Sequence, residues 1–170
     1  INGYRNGWLW NWDGCSIMAV TYATINDPVN TVVAVLSSNW AQVASSVDST
    51  TPTIDESWDM GKKNLKNGDL IRCYEVAANH DFLGIGDGID KGTARVSIDI
   101  STAVSRSRLR KLYSGVVSIV KGARAGNSST ALHANYADIK LLSRVDQSDK
   151  NRRWYRYVLD CEITSYEAVV

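Results

Sequence analysis

Long apolar runs are missing from this sequence. The longest, Val32-Val33-Ala34-Val35-Leu36, falls far short of the roughly 18–20 residues that cross a bilayer as a helix, so no membrane span is expected. The residues that follow Ile1 have no positive start leading into an apolar core, so no signal peptide is expected among them. Histidine is scarce, with only His80 and His133. His80 adjoins Asp81, and sequence neighbours rarely form a catalytic pair. No Gly-x-Ser-x-Gly setting for a nucleophile is present either, so nucleophilic hydrolysis has no foothold here. Glutamate is also scarce, and Glu56, Glu75, Glu162 and Glu167 are not arranged as a paired acid and base. The three cysteines, Cys15, Cys73 and Cys161, are too far apart for a zinc site or a disulfide-dense scaffold. They read as small buried apolar residues, with one disulfide plus a free thiol as the alternative.

Two further motifs carry little. Asn127-Ser128-Ser129 is a formal glycosylation sequon, but nothing else points to secretion. The stretch GIGDGIDKG, residues 84–92, looks like a phosphate loop. It lacks the dinucleotide spacing, however, and leads into a strand pattern, whereas phosphate binding needs the N–H groups of a helix start. Asp81, Asp87 and Asp90 around it lack the EF-hand spacing and read as turn formers. Neither a cofactor nor a metal is expected.

Acid is absent over one long stretch. Residues 100–137 hold no Asp or Glu but carry Arg106, Arg108, Arg110, Lys111, Lys121 and Arg124. Residues 48–90 hold nine acids against four bases. The net charge is only +1, so strong binding to nucleic acid is not compelled. The split suits copies that pack basic face to acidic face, or a basic face turned to nucleic acid. A solvated face balanced within one molecule is the plainer alternative.

Tryptophan is abundant, and three of the six lie in YRNGWLWNWDG, residues 4–14. Trp8, Trp10 and Trp12 alternate, so an extended chain would put all three indoles on one face. Three exposed indoles would make an adhesive patch at a terminus that frays unless held. The ladder therefore calls for a cover: the protein's own core, a neighbouring copy, or a ligand such as a sugar stacked on the rings. This divides the chain into an aromatic arm, residues 1–14, and a single domain, residues 15–170, long enough to bury a core.

Along that domain, residues 16–25 read as a strand rich in β-branched and aromatic residues. Asp27 and Pro28 start a helix whose stripe is Val29, Val32, Val33, Leu36, Trp40, Val43, Ala44 and Val47, although the run TVVAVL also fits a buried strand. Thr53 and Glu56 form a capping-box pattern, with lysines and Asn67-Gly68 at the far end, so the expectation for residues 53–68 is a short helix. Residues 69–77 and 93–100 read as strands around a glycine-rich turn. Residues 101–126 fit either one helix or a helix followed by a strand. Tyr155, Tyr157, Leu159, Cys161 and Ile163 alternate with Arg156, Val158, Asp160 and Glu162, which with residues 136–145 makes an antiparallel hairpin. The class expected is α+β, a mainly antiparallel, sandwich-like sheet with two or three helices.

The order of motifs over residues 18–77 resembles small tailed-phage virion-associated proteins. Those carry a Thr-x-Asp start, an apolar stretch, an aromatic in a Gly-Tyr-Phe-like position, then Leu-x-x-Gly-Asp-x-Ile. The matching positions are Asp27, Trp40, Leu65, Gly68, Asp69 and Ile71. Trp40 stands in Ser-Asn-Trp and departs from the pattern, and the basic C-terminal half has no counterpart in it. The resemblance implies a non-enzymatic component of a virion, whether capsid, decoration or tail accessory. Its partners would be copies of itself, other virion proteins and, on the basic face, nucleic acid. The competing expectation is a carbohydrate-binding module that stacks a glycan on Trp8, Trp10 and Trp12.

Overall fold

A computed structural model of the chain describes residues 27–47, 51–56, 68–82, 89–125, 136–149 and 154–168. Among these residues, two helices and five strands follow in the order α1 (Pro28–Val43), β1 (Thr53–Glu56), β2 (Asp69–Phe82), β3 (Ile89–Thr102), α2 (Arg106–Arg124), β4 (Tyr136–Asp146) and β5 (Tyr155–Ala168). One turn of 3₁₀ helix, Ala44–Val47, extends α1. The strands form a single sheet in the order β1-β2-β3-β5-β4. Only β1 and β2 run parallel, and the other three pairings are antiparallel. The class is therefore mixed α+β with a mainly antiparallel sheet. Among the described residues the layer facing that sheet is helical, not the second sheet a sandwich would have.

The helix at Pro28 forms where its cap and period place it. The Asp27 carboxylate accepts from the Val29 N–H at 2.7 Å, and Pro28 fills the first turn, where a missing N–H costs nothing. Val29, Val32, Val35, Leu36 and Trp40 are buried on one side. Burial of those valines, each worth roughly 1.5–3 kcal/mol, outweighs their few tenths of poorer helix propensity.

Residues 53–56 differ from expectation. Thr53 and Glu56 lie in β1, which pairs Ile54 with Ile71 and Glu56 with Cys73. A capping interaction is worth about 1 kcal/mol. Backbone pairing along β2, together with the packing of Ile54 against the core, overrides it. The remainder of that expected helix, residues 57–67, lies outside the described residues, as do the expected strand at 16–25 and the arm at 1–14.

The ambiguous region resolves as one helix. The Ser105 hydroxyl caps α2 by accepting from the Arg108 N–H at 3.1 Å. Gly115 does not interrupt the helix; it lets α1 come close. A Cβ there would lie 3.2 Å from both the Trp40 ring and the Val47 side chain. Strand extends into the stretch expected as a glycine-rich turn, because β2 runs to Phe82 and β3 begins at Ile89; residues 83–88 lie outside the described residues.

Period-2 alternation divides the sheet into two faces. Ile71, Cys73, Val96, Ile98, Ile100, Tyr157, Leu159, Cys161, Ile163 and Ile139 fall on the face packed against the helices. Register places Arg72, Asp99, Val158 and Val145 in one row across the opposite face.

Candidate functional site

The cationic stretch that stood out in the sequence is the helix α2, laid beside the outer strand β4. Its residues fall into three groups. Arg108 faces inward: it is buried, its Nε and Nη2 donate to Asp69 Oδ2 at 2.7 and 2.5 Å, and its Nη1 donates to the Val47 carbonyl. One guanidinium thus joins the start of α2, the start of β2 and the end of the 3₁₀ turn. Arg108 does not belong to an exposed basic face. The signal for this lay in the helical stripe, since Arg108 shares its side of the helix with Leu112, Gly115, Val116, Ile119 and Val120.

A second group fastens α2 to β4. Arg106 meets Asp146 at 2.7 Å, and Arg124 meets Asp138 at 3.0 Å. These exposed pairs each contribute little to stability, but they mark both ends of the helix–strand contact. Between them, Arg144 of β4 lies 4.9 Å from the ring centres of both Tyr113 and Tyr157, which meet edge to face. Two hydrogen bonds from Ser148 hold the Asp146 carboxyl below the usual carboxylate range, with Arg106 and Arg144 adding to the shift.

The third group faces outward. Arg110 and Lys121 are exposed, in line with Ser107, Ser114 and Ser118 along the outer side of α2. Lys111 is half-buried beside them and is engaged within the chain. Part of the charge split is thus neutralised inside the molecule, and the rest is displayed.

The sheet face away from the helices carries its own polar network. Arg156 forms a two-pronged pair with Asp99 at 2.9 and 2.8 Å, both side chains being buried. Asp160 accepts from Ser97 at 3.0 Å and from Ser143 at 2.8 Å, which ties β3, β5 and β4 together. Arg156 also lies 5.3 Å from the Trp154 ring. A cleft of about 260 Å³ opens at one end of the sheet, between Pro28 at the start of α1, Glu75 and Asn79 of β2, Tyr136 and Ser165.

Among the described residues, groups with catalytic or metal-binding potential are dispersed. Cys73 and Cys161 are buried free thiols, and burial pushes both well above the ordinary thiol range. Among the described residues no three His, Cys, Asp or Glu side chains gather as a metal site. Asp81 and Asp90 sit on the paired strands β2 and β3, while Asp87, His133 and Cys15 lie outside the described residues. So do Trp8, Trp10 and Trp12. Of the positions that carried the phage-protein resemblance, Asp27 caps α1, Trp40 is buried between the helices, Asp69 holds Arg108 and Ile71 is in the core; Leu65 lies outside the described residues.

No family model and no curated protein matches the chain. Its fold is similar to that of a solved chain from the virion of a native gene transfer agent (GTA) particle. The likeness has a TM-score of 0.59 at 13% identity, and it covers 86% of this chain and 100% of that one. At that identity the two share a fold.

Proposed function

We propose that the chain is a non-enzymatic structural subunit of a phage-like virus particle, located in the virion and bound to copies of itself and to other virion proteins. One observation carries this reading: the fold is matched along the full length of a chain that belongs to a virion. Two features of the molecule agree with it. Among the described residues, Cys73 and Cys161 are buried and no metal-binding cluster gathers, whereas Arg110 and Lys121 are exposed along α2 and Glu56, Glu75 and Asp81 along β1 and β2.

In this reading the arm bearing Trp8, Trp10 and Trp12 docks on a neighbour. The apolar area it buries is worth about 25 cal/mol per Å², and complementary charge sets the register. Of the basic face expected from the sequence, Arg110 and Lys121 are the cations displayed outward, flanked by Arg106 and Arg124 in their pairs with Asp146 and Asp138 and by the engaged Lys111, and they turn to an acidic neighbour or to packaged nucleic acid. Capsid, decoration and tail positions all suit such a subunit.

Deleting residues 1–13 tests the arm. The shortened chain should keep its far-UV circular dichroism and lose its multimeric mass in light scattering. A shortened chain that assembles as before refutes docking by the arm. A full-length chain that stays monomeric and loses glycan binding on deletion would instead establish the carbohydrate-binding alternative.

A further inference from the structure

Among the described residues, the sheet ends on two strands of opposite electrostatic character. On one side the rim is β1, followed by the part of β2 beyond it, since among the described residues β1 pairs with Leu70–Cys73 alone. That rim carries Asp55, Glu56, Glu75 and Asp81, while Arg72 lies behind it, paired in register with Asp55. Residues Glu75 to Asn79 are exposed without alternation, and Val76, at a register shift, is 53% exposed. On the other side the rim is β4, and residues Leu142 to Gln147 are likewise exposed in succession. There Leu142 is 42% and Val145 51% exposed, both large apolar groups on an outer strand. Around β4, Arg106 pairs with Asp146, Arg124 with Asp138 and Lys140 with Glu162, and Arg110, Lys121 and Arg144 add positive charge that no carboxylate among these balances.

An outer strand presents a row of N–H and C=O groups ready to pair with another chain. Proteins that stay monomeric blunt such rims with lysines pointing outward, prolines or very short strands. β4 is eleven residues long and contains no proline, and between and beside its charged Lys140, Arg144 and Asp146 it exposes Leu142 and Val145. Its register shifts near Tyr136 and Leu141 leave Ser143–Asp146 regularly paired to β5 on the inner side.

We propose that β4 of one copy adds to the acidic β1–β2 rim of the next, making the sheet continuous from subunit to subunit. The occupant is a second copy of this chain because the two rims match in kind, backbone to backbone, and oppose each other in charge. The contact is head to tail, since the two surfaces differ. It therefore propagates, giving a ring if the rotation closes and a filament if it does not. The inference rests on the reading of the chain as a self-assembling subunit, and it names the surface that reading leaves open.

Two variants separate the rims. Leu142→Lys with Val145→Lys blunts β4, and Asp55→Lys with Glu56→Lys reverses the opposite rim. Each variant alone should give a monomer in light scattering. Mixed in equal amounts they should form a one-to-one dimer and nothing larger, because the one live β4 rim meets the one live β1–β2 rim. Either variant assembling like the wild type, or a mixture that stays monomeric, overturns the proposal. In those cases a wild-type multimer still upholds self-assembly through another surface, while a wild-type monomer removes the function reading itself. Should a variant lose its folded circular dichroism spectrum, the wild type decides. Carbodiimide treatment of mixed isotope-labelled and unlabelled copies should join Asp55 or Glu56 of one copy to Lys140 or Lys121 of another. A multimer lacking any such mixed link refutes the contact.

Discussion

Replacing Arg108 with methionine tests the most unexpected placement in the structure. Methionine keeps the apolar stem and removes the guanidinium, leaving the buried Asp69 carboxylate without that partner and the Val47 carbonyl without its Nη1 donor. Breaking a buried pair from one side costs about 3–5 kcal/mol, because a charge is left in low dielectric. Against a total stability of roughly 5–15 kcal/mol this is a large fraction. For a chain of this size each kcal/mol moves Tm by about 2–4 °C, so a fall of about 6–20 °C is expected. Removing the carboxylate as well, with Asp69→Asn, should return a substantial part of the loss. The double-mutant cycle should then show a coupling of about 0.5–3 kcal/mol. Urea unfolding followed by far-UV circular dichroism measures all four corners, run at several protein concentrations because association adds its own stabilisation. A single variant within about 0.5 kcal/mol of wild type, or strictly additive substitutions, would refute the claim that Arg108 is an internal brace.

Other consequences are equally direct. Gly115→Leu should force α1 away from α2 at Trp40 and Val47, costing at least the 1–3 kcal/mol typical of overpacking. Thermal melts would show it, and an unchanged Tm would contradict the close approach. Cys73 and Cys161 should resist alkylation at pH 8.5 in the folded protein and react in urea, since burial pushes the Cys161 thiol up to about 12 and raises that of Cys73 further. Peptide mass spectrometry reads each site, and rapid labelling of either in the native state would refute its burial. Asp146 has a folded pKa below its ordinary value, so it stabilises the fold above that ordinary value and ceases to as pH falls through the lowered one. Asp146→Asn should therefore flatten the acid limb of a Tm-against-pH profile; an identical limb would contradict the shift.

Periodicity made much of this fold legible. The Asp27 cap, the valine stripe of α1, the alternation in β3 and the hairpin of β4 and β5 all stand where residue spacing places them. What escaped were features settled by tertiary contact. Thr53 to Glu56 satisfies a local helix rule, but the parallel partner Leu70–Cys73 claims its backbone. Residues 101–126 leave two readings open because the reason for Gly115, the Trp40 ring on another helix, is remote in sequence. Arg108 reads as surface charge when counted with its neighbours and as core when placed on the helix stripe. Residue counts revealed the charge split, yet could not tell that Arg106, Arg108 and Arg124 find carboxylates within the same molecule. The two unlike rims emerge only once strand order is known.

The claim at the centre of this account is that the subunit completes itself with its own copies. Size-exclusion chromatography with light scattering on the full chain, at low and at high salt, addresses it most directly. The account predicts a multimer at low salt whose mass falls, or whose dissociation accelerates, as salt screens the opposed charges. A monomer at every protein concentration in both salts would contradict it.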